Sequence, residues 1–271
     1  MQNDDMNLRR DRIFEHIVES YIDTAEPVGS RTLSKRYSLG LSPASIRNVM
    51  ADLEEQGFLK QPHTSAGRVP TDKGYRYYVD HLMEKEDLAQ DEKQWIQAEL
   101  SKAKTIEGMA DRVSKIISEL TENAALIYIK NLRRVSFLNY VLEELIEAQK
   151  LIDFFEEEPE LFIEGTFRIF EQPEFQNAGK MRMLLRAFDE KLNFLEILSG
   201  DLEEEGVQVH IGSENSADSL EDVSLVVKDC YLGETPIGGV AVVGPTRMKD
   251  SKVVSVVEYV ADGVSQAVQR L

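Results

Sequence analysis

The chain has 271 residues, with 31 Lys and Arg against 49 Asp and Glu, a formal net charge of -18 and a single cysteine. That length suits about two domains. The lone Cys230 excludes a disulfide framework or a cysteine-based zinc cluster and points to a reducing, cytoplasmic compartment. The first residues lack the apolar core of a signal peptide, and no stretch approaches the ~18 uninterrupted apolar residues of a membrane span, so no membrane partner is expected. Taken whole, the acid excess argues against a polyanionic partner. Its distribution says otherwise. Residues 27–76 hold eight basic and four acidic side chains, and between Val28 and Met50 there are four basic residues and no acidic one. A locally basic module on an acidic body is the pattern of a nucleic-acid-binding part.

In chain order, Ile13, Phe14, Ile17, Val18 and Tyr21 recur at helical spacing and predict a first helix over about 7–24, stopped by Pro27. Ser30 is the expected N-cap of a short second helix through Tyr37, with Leu33 and Tyr37 on one face. After a turn at 38–41, Ser42 caps a third helix with Pro43 in its first position, running to about Gln56 and ended by Gly57. Phe58-Leu59-Lys60 reads as a strand and 61–70 as a hairpin tip. Thr71 caps a fourth helix through Tyr75, Tyr78 and Leu82, which leads into a charged linker, Glu84–Asp91. One long helix is expected over Glu92–Glu122.

Beyond it, Ala125–Ile129 is β-type, and helical segments are expected across Phe137–Phe155 and Met181–Leu198, separated by loops near Pro159 and Pro173. Val207–Ile211, Val223–Tyr231 and Ile237–Val243 are β-type between Gly206, Gly233 and Gly244, and an amphipathic helix over Lys252–Arg270 closes the chain. Helices around a few antiparallel strands make an α+β body. The layout expected is a DNA-binding domain at 1–84, linker and long helix at 85–122, and a regulatory and dimerisation domain at 123–271.

Three helices, a tight turn between the second and third, and a strand–loop–strand predict a winged helix-turn-helix, whose third helix enters the major groove of double-stranded DNA. At ~100° per residue, Ile46, Val49, Met50 and Leu53 fall on one arc of that helix, and Ala44, Arg47, Asn48 and Ala51 on the opposite one. Arg47 suits a guanine edge and Asn48 an adenine edge, while the alanines allow close approach. Ser42 and Ser45 stand where the helix N-terminus attracts phosphate. His63, Thr64, Ser65, Gly67 and Arg68 form the expected wing, with Arg68 on the DNA backbone or in the minor groove. Arg31 and Lys35 are further candidate backbone contacts. Spacing alone leaves open a solvated polar helix face and an ordinary hairpin tip.

The remaining signals are bland. His16, His63, His81 and His210 have no metal-type spacing with one another or with Cys230, and Gly233, Gly238, Gly239 and Gly244 match neither a dinucleotide fingerprint nor a phosphate loop. Glu156-Glu157-Glu158 reads as a solvated helix end, and no nucleophile–base arrangement stands out. Neither an enzyme nor a cofactor is expected.

The runs Leu41–Asn48, Met50–Glu54 and Gln61–Asp80, with Gln172-Pro173-Glu174-Phe175 and Gly244-Pro245-Thr246-Arg247-Met248, resemble the HrcA family of bacterial heat-inducible transcription repressors. The resemblance implies a repressor that binds, as a homodimer, an inverted-repeat operator upstream of chaperone genes. It also implies a GAF-like body with an inserted dimerising domain, and activity modulated by the GroEL chaperonin. Two departures accompany it. Several dozen residues usual in the family are missing between Ile129 and Leu145, and Asp250 stands where the family has an aromatic residue. The competing reading is a ligand-responsive sensor or interaction module whose winged helix binds protein.

Overall fold

The computed structural model describes residues 2–37, 39–129, 160–189, 206–215 and 217–270, together with Phe194 and Leu198. The chain divides into two compact units. The first comprises Met1–Glu86, His210–Ser224 and Gly244–Lys252; the second comprises Asp87–Val209, Leu225–Val243 and Val253–Leu271. Two C-terminal stretches thus group with the N-terminal residues, a feature that reading along the sequence did not anticipate.

In the first unit, α1 (Gln2–Thr24) buries Ile13, Phe14, Ile17 and Val18 completely. Each such side chain contributes about 1.5–3 kcal/mol relative to exposure. α2 (Ser30–Arg36) begins one residue earlier than expected: Gly29 is its N-cap, the Gly29 carbonyl accepts the Leu33 N–H, and Ser30 is buried inside the first turn. It also stops short of Tyr37, which is extended and stacks on His16 with ring centres 4.1 Å apart. α3 (Pro43–Glu55) buries Ile46, Met50 and Leu53. Val49, expected in the core, is half-buried because it lies at the edge of the arc those three define.

β1 (Leu59–Lys60) and β2 (Val69–Pro70) pair antiparallel, with Leu59 opposite Pro70 and Lys60 opposite Val69. α4 (Asp72–His81) is capped as expected, Thr71 Oγ1 accepting the Gly74 N–H at 3.1 Å. Its inner face holds Tyr75 and Tyr78, and Tyr77 joins Phe14 and Phe58 in an aromatic cluster with centroids 4.9–6.0 Å apart.

The second unit starts with α5 (Gln90–Leu100) and α6 (Ile106–Thr121). The single long helix expected over Glu92–Glu122 is therefore two. Thr105 Oγ1 accepts the Gly108 N–H at 3.0 Å, so its side chain nucleates a fresh helix start and the chain breaks just before it. β3 (Ala124–Ile129) pairs antiparallel with β4 (Glu160–Glu164), Ala125 facing Glu164 and Ile129 facing Glu160. β4 was missed by the sequence reading, although Leu161-Phe162-Ile163 stands between Pro159 and Gly165. α7 (Thr166–Phe170), a short 3₁₀ turn at Pro173–Gln176 and α8 (Ala178–Asp189) follow. The helical expectation for Phe137–Phe155, the Glu156-Glu157-Glu158 run and the stretch from Ile129 to Leu145 lie wholly or mostly outside the described residues.

β5 (Gln208–Ile211), β6 (Val223–Leu232) and β7 (Thr235–Pro245) complete a five-stranded sheet in the order β4-β3-β7-β6-β5, with β3 antiparallel to β7. α9 (Asp250–Val268) buries a valine-rich face that includes Val253, Val256, Val257 and Val260. Helices and antiparallel sheets together make the fold α+β. Among the described residues, no helix is long and apolar enough to cross a membrane.

Candidate nucleic-acid interface

The candidate site is built from α2, α3 and the loop joining β1 to β2. α3 starts at a fixed point: Ser42 Oγ accepts the Ser45 N–H at 3.1 Å, and Pro43 sits where a missing N–H costs nothing. Burial of Ile46, Met50 and Leu53 then rotates Ala44, Arg47, Asn48 and Ala51 to the exposed side. The Ser42 and Ser45 hydroxyls lie 3.0 Å apart and face each other. The Ser42 oxygen thus serves as the helix cap, and both hydroxyls remain exposed at the helix N-terminus.

A groove of about 480 Å³ runs between these elements and brings together Arg31, Arg47, Thr64, Ser65, Gly67 and Arg68. Lys35, Ser42, Ala44, Ser45, Asn48 and His63 do not line it and are exposed around it. Among the groove-lining residues that sequence reasoning overlooked is Gln61. Its Nε2 donates to the carbonyls of Thr64 and Ala66, both at 3.0 Å, and so holds the loop in shape. The loop is also tied at its base. Val28 and Arg68 exchange two backbone hydrogen bonds of 2.9 Å, and a Cβ on Gly67 would sit 2.4 Å from the Val28 carbonyl. Only glycine permits that approach.

The basic residues of 27–76 sort into two groups. Arg36 donates to Asp23 at 2.7 Å, Lys73 to the Gln56 carbonyl at 2.8 Å, and Arg76 pairs with Asp80 and Glu214. Arg31, Lys35, Arg47 and Lys60 are exposed and make no side-chain hydrogen bond or ion pair among the described residues. These are the charges available to a polyanion.

Arg68 also belongs to the paired group. Its Nε and Nη2 both donate to Glu54 Oε2, at 2.9 and 2.8 Å. Glu54 was missed by sequence reasoning, although a signal exists: it lies seven residues after Arg47, hence on the same stripe of α3. An acid on the same stripe as Arg47 is a ready partner for a nearby cation. Among the described residues, no group of three or more His, Cys, Asp or Glu side chains is placed to hold a metal ion.

Comparison with known proteins places the chain. Residues 85–254 match the HrcA protein C terminal domain. The heat-inducible transcription repressor HrcA of Desulforamulus reducens is 30% identical, over an alignment of 340 residues that covers 98% of each chain. That of Carboxydothermus hydrogenoformans is 33% identical, covering 96% of this chain and 97% of its own. Both alignments are longer than the 271 residues present, so several dozen aligned positions have no counterpart here. A crystal structure described as a hypothetical protein at 2.2 Å resolution superposes with a TM-score of 0.70 at 24% identity, covering 97% of this chain and 98% of that one, and shares the fold. The chain belongs to the HrcA family.

Proposed function

We propose that this chain is a heat-inducible, DNA-binding transcription repressor of heat-shock genes, with no enzymatic role. The observation that carries the reading is the convergence of unpaired Arg31 and Arg47 on one groove, beside the exposed Asn48 and a braced polar loop. The repressor names of the relatives support it independently.

On this reading the first residues, 1–84, form a winged helix-turn-helix: α3 lies in the major groove, the loop 61–68 is the wing, and Arg31 and Lys35 touch backbone. Arg47 reads guanine and Asn48 adenine. Residues 85–122 connect this module to a GAF-like regulatory and dimerisation domain at 123–271. A two-fold dimer then meets an inverted-repeat operator, and the chaperonin acts on the body. The acid excess outside 27–76 limits non-specific attraction of the body to DNA.

The test is a binding titration of the full chain with duplexes from chaperone-operon promoters and with scrambled duplexes, across salt concentration. Tight, salt-dependent binding that prefers the promoter is expected. Absent or sequence-indifferent binding would reject the reading and favour a sensor whose winged helix contacts protein.

A further inference from the structure

Arg68 and Glu54 lie on different elements and join the expected wing to the expected reading helix. Both guanidinium donors converge on a single carboxylate oxygen, at 2.9 and 2.8 Å, and the two side chains retain 21% and 35% of their exposure. Such charge-assisted pairs are directional and strong for their size. The contact adds to two others that hold the loop: the Val28–Arg68 backbone pair and the Gln61 side chain. Glu54 also stands seven residues beyond Arg47, about 10 Å along one stripe of α3. Without Arg68 it would present a bare carboxylate where phosphate is to approach. With Arg68 engaged, neither charge is free to act on DNA by itself.

We propose that Glu54 is a positioning residue for operator recognition: through Arg68 it fixes the wing against α3 and withholds the Arg68 charge from indiscriminate contact with phosphate. This inference rests on the DNA-binding reading above. It reverses the simplest role for Arg68, a direct backbone contact. Specificity then comes from the unpaired Arg47 and Asn48, while the Glu54–Arg68 pair keeps the wing in register and lowers the sequence-independent part of binding.

The experiment compares the unsubstituted full chain with Glu54→Gln, Arg68→Ala and the double variant Glu54→Ala/Arg68→Ala. Each is titrated with a chaperone-promoter duplex and a scrambled duplex over a salt series, with thermal unfolding followed in parallel. Glu54→Gln frees the guanidinium. Its binding to scrambled duplex should tighten on the order of five- to tenfold at ~0.1 M salt, with a slope of log K against log salt steeper by about 0.9. Its promoter-to-scrambled preference should fall. Arg68→Ala should weaken binding to both duplexes, and the double variant should recover part of that loss, because the exposed carboxylate is gone.

A Glu54→Gln variant with unchanged slope and unchanged preference would overturn the proposal, as would a double variant no better than Arg68→Ala. For Glu54→Gln, an equal loss on both duplexes that tracks a lowered unfolding temperature would reduce Glu54 to a structural residue and overturn it too. Failure of the unsubstituted chain to prefer promoter DNA would instead overturn the DNA-binding reading itself.

Discussion

Arg76 and Glu214 are 138 residues apart in sequence, yet they meet in a two-pronged ion pair in which the Arg76 Nε donates to Glu214 Oε1 at 2.9 Å and its Nη2 to the other oxygen. One turn earlier on α4, Asp72 Oδ2 accepts the backbone N–H and the hydroxyl of Ser213, at 3.0 and 2.8 Å. The segment they grip is itself ordered by Asn215, whose Nδ2 donates to the carbonyls of Gly212, Leu220 and Val223. Further along, Arg247 donates to the Ile22 carbonyl at 3.0 Å, and the Glu86 N–H to the Ser251 carbonyl at 3.1 Å. Segments from the far end of the sequence thus complete the unit that carries the candidate interface.

Removing one side of the Arg76–Glu214 pair should destabilise that unit. Burial pushes the Glu214 carboxyl up, but the Arg76 hydrogen bonds, the Ile211 N–H and nearby positive charge outweigh it and hold it below the usual carboxylate range. A depressed folded-state value stabilises above the unfolded pKa of about 4.3, and the contribution is lost as pH falls through the folded value. Since both side chains keep about a third of their exposure, the pair is worth roughly 1 kcal/mol. Glu214→Gln should therefore lower the unfolding temperature by about 2–4 °C at pH 7. The deficit should shrink as the pH is taken below 4 in the same calorimetric series.

Gly74 in α4 gives a test with the opposite sign from helix propensity. An added Cβ there would lie 2.2 Å from the Phe58 carbonyl oxygen and 3.2 Å from Phe14. Helix propensity alone favours Gly74→Ala by about 1 kcal/mol. The backbone collision outweighs that gain, since overpacking costs about 1–3 kcal/mol even where side chains can yield. A urea midpoint below that of the unsubstituted chain is expected, and a higher one would show that α4 can shift away from Phe58.

The elements of the first unit were largely legible in the sequence because their signals are local. Ser42 and Thr71 are side-chain caps, Gly57 follows the end of α3, and the apolar spacing of α1 and α3 fixes which faces turn inward. The break at Thr105 was hidden because apolar spacing continues on both sides of it, and only the capping hydroxyl marks the restart. The partners of Arg68 and Arg76 were illegible for a different reason. Glu54 and Glu214 lie 14 and 138 residues away, and composition cannot show which of eight basic side chains is already neutralised. A count of charge pointed to the candidate interface, but pairing decides which charges are available there.

Within the interface, Arg47 and Lys35 should fail differently. Arg47 lines the groove from the exposed stripe of α3, whereas Lys35 stands outside it on α2. Arg47→Ala should cost about 1–3 kcal/mol on the promoter duplex and relax base preference at one position per half-site. Lys35→Ala should weaken promoter and scrambled duplexes alike and reduce the salt slope by about 0.9. Competition binding with single-base-substituted duplexes separates the two, and identical profiles would remove Arg47 from base reading.

Asp250 supplies the last prediction. It opens α9, only 1% of its surface is exposed, and its Oδ1 has no hydrogen-bond partner among the described residues. The position is therefore a core position, although it carries an acid. Burial pushes the Asp250 carboxyl up to about 7, partly offset by the positive charge of Arg76. The sign then runs opposite to Glu214. An acid with a folded-state value above its unfolded value near 3.9 binds more protons when folded, so its own contribution to stability is greatest below about pH 4 and declines as pH rises toward 7. Across that window the loss is on the order of 4 kcal/mol. Asp250→Asn keeps the shape and removes the titration. Its unfolding temperature should exceed that of the unsubstituted chain at pH 8, and the two should converge near pH 4. Curves that stay parallel from pH 4 to 8 would mean that Asp250 is charged and compensated in the folded chain, and Arg76 would then be its counter-charge as well as that of Glu214.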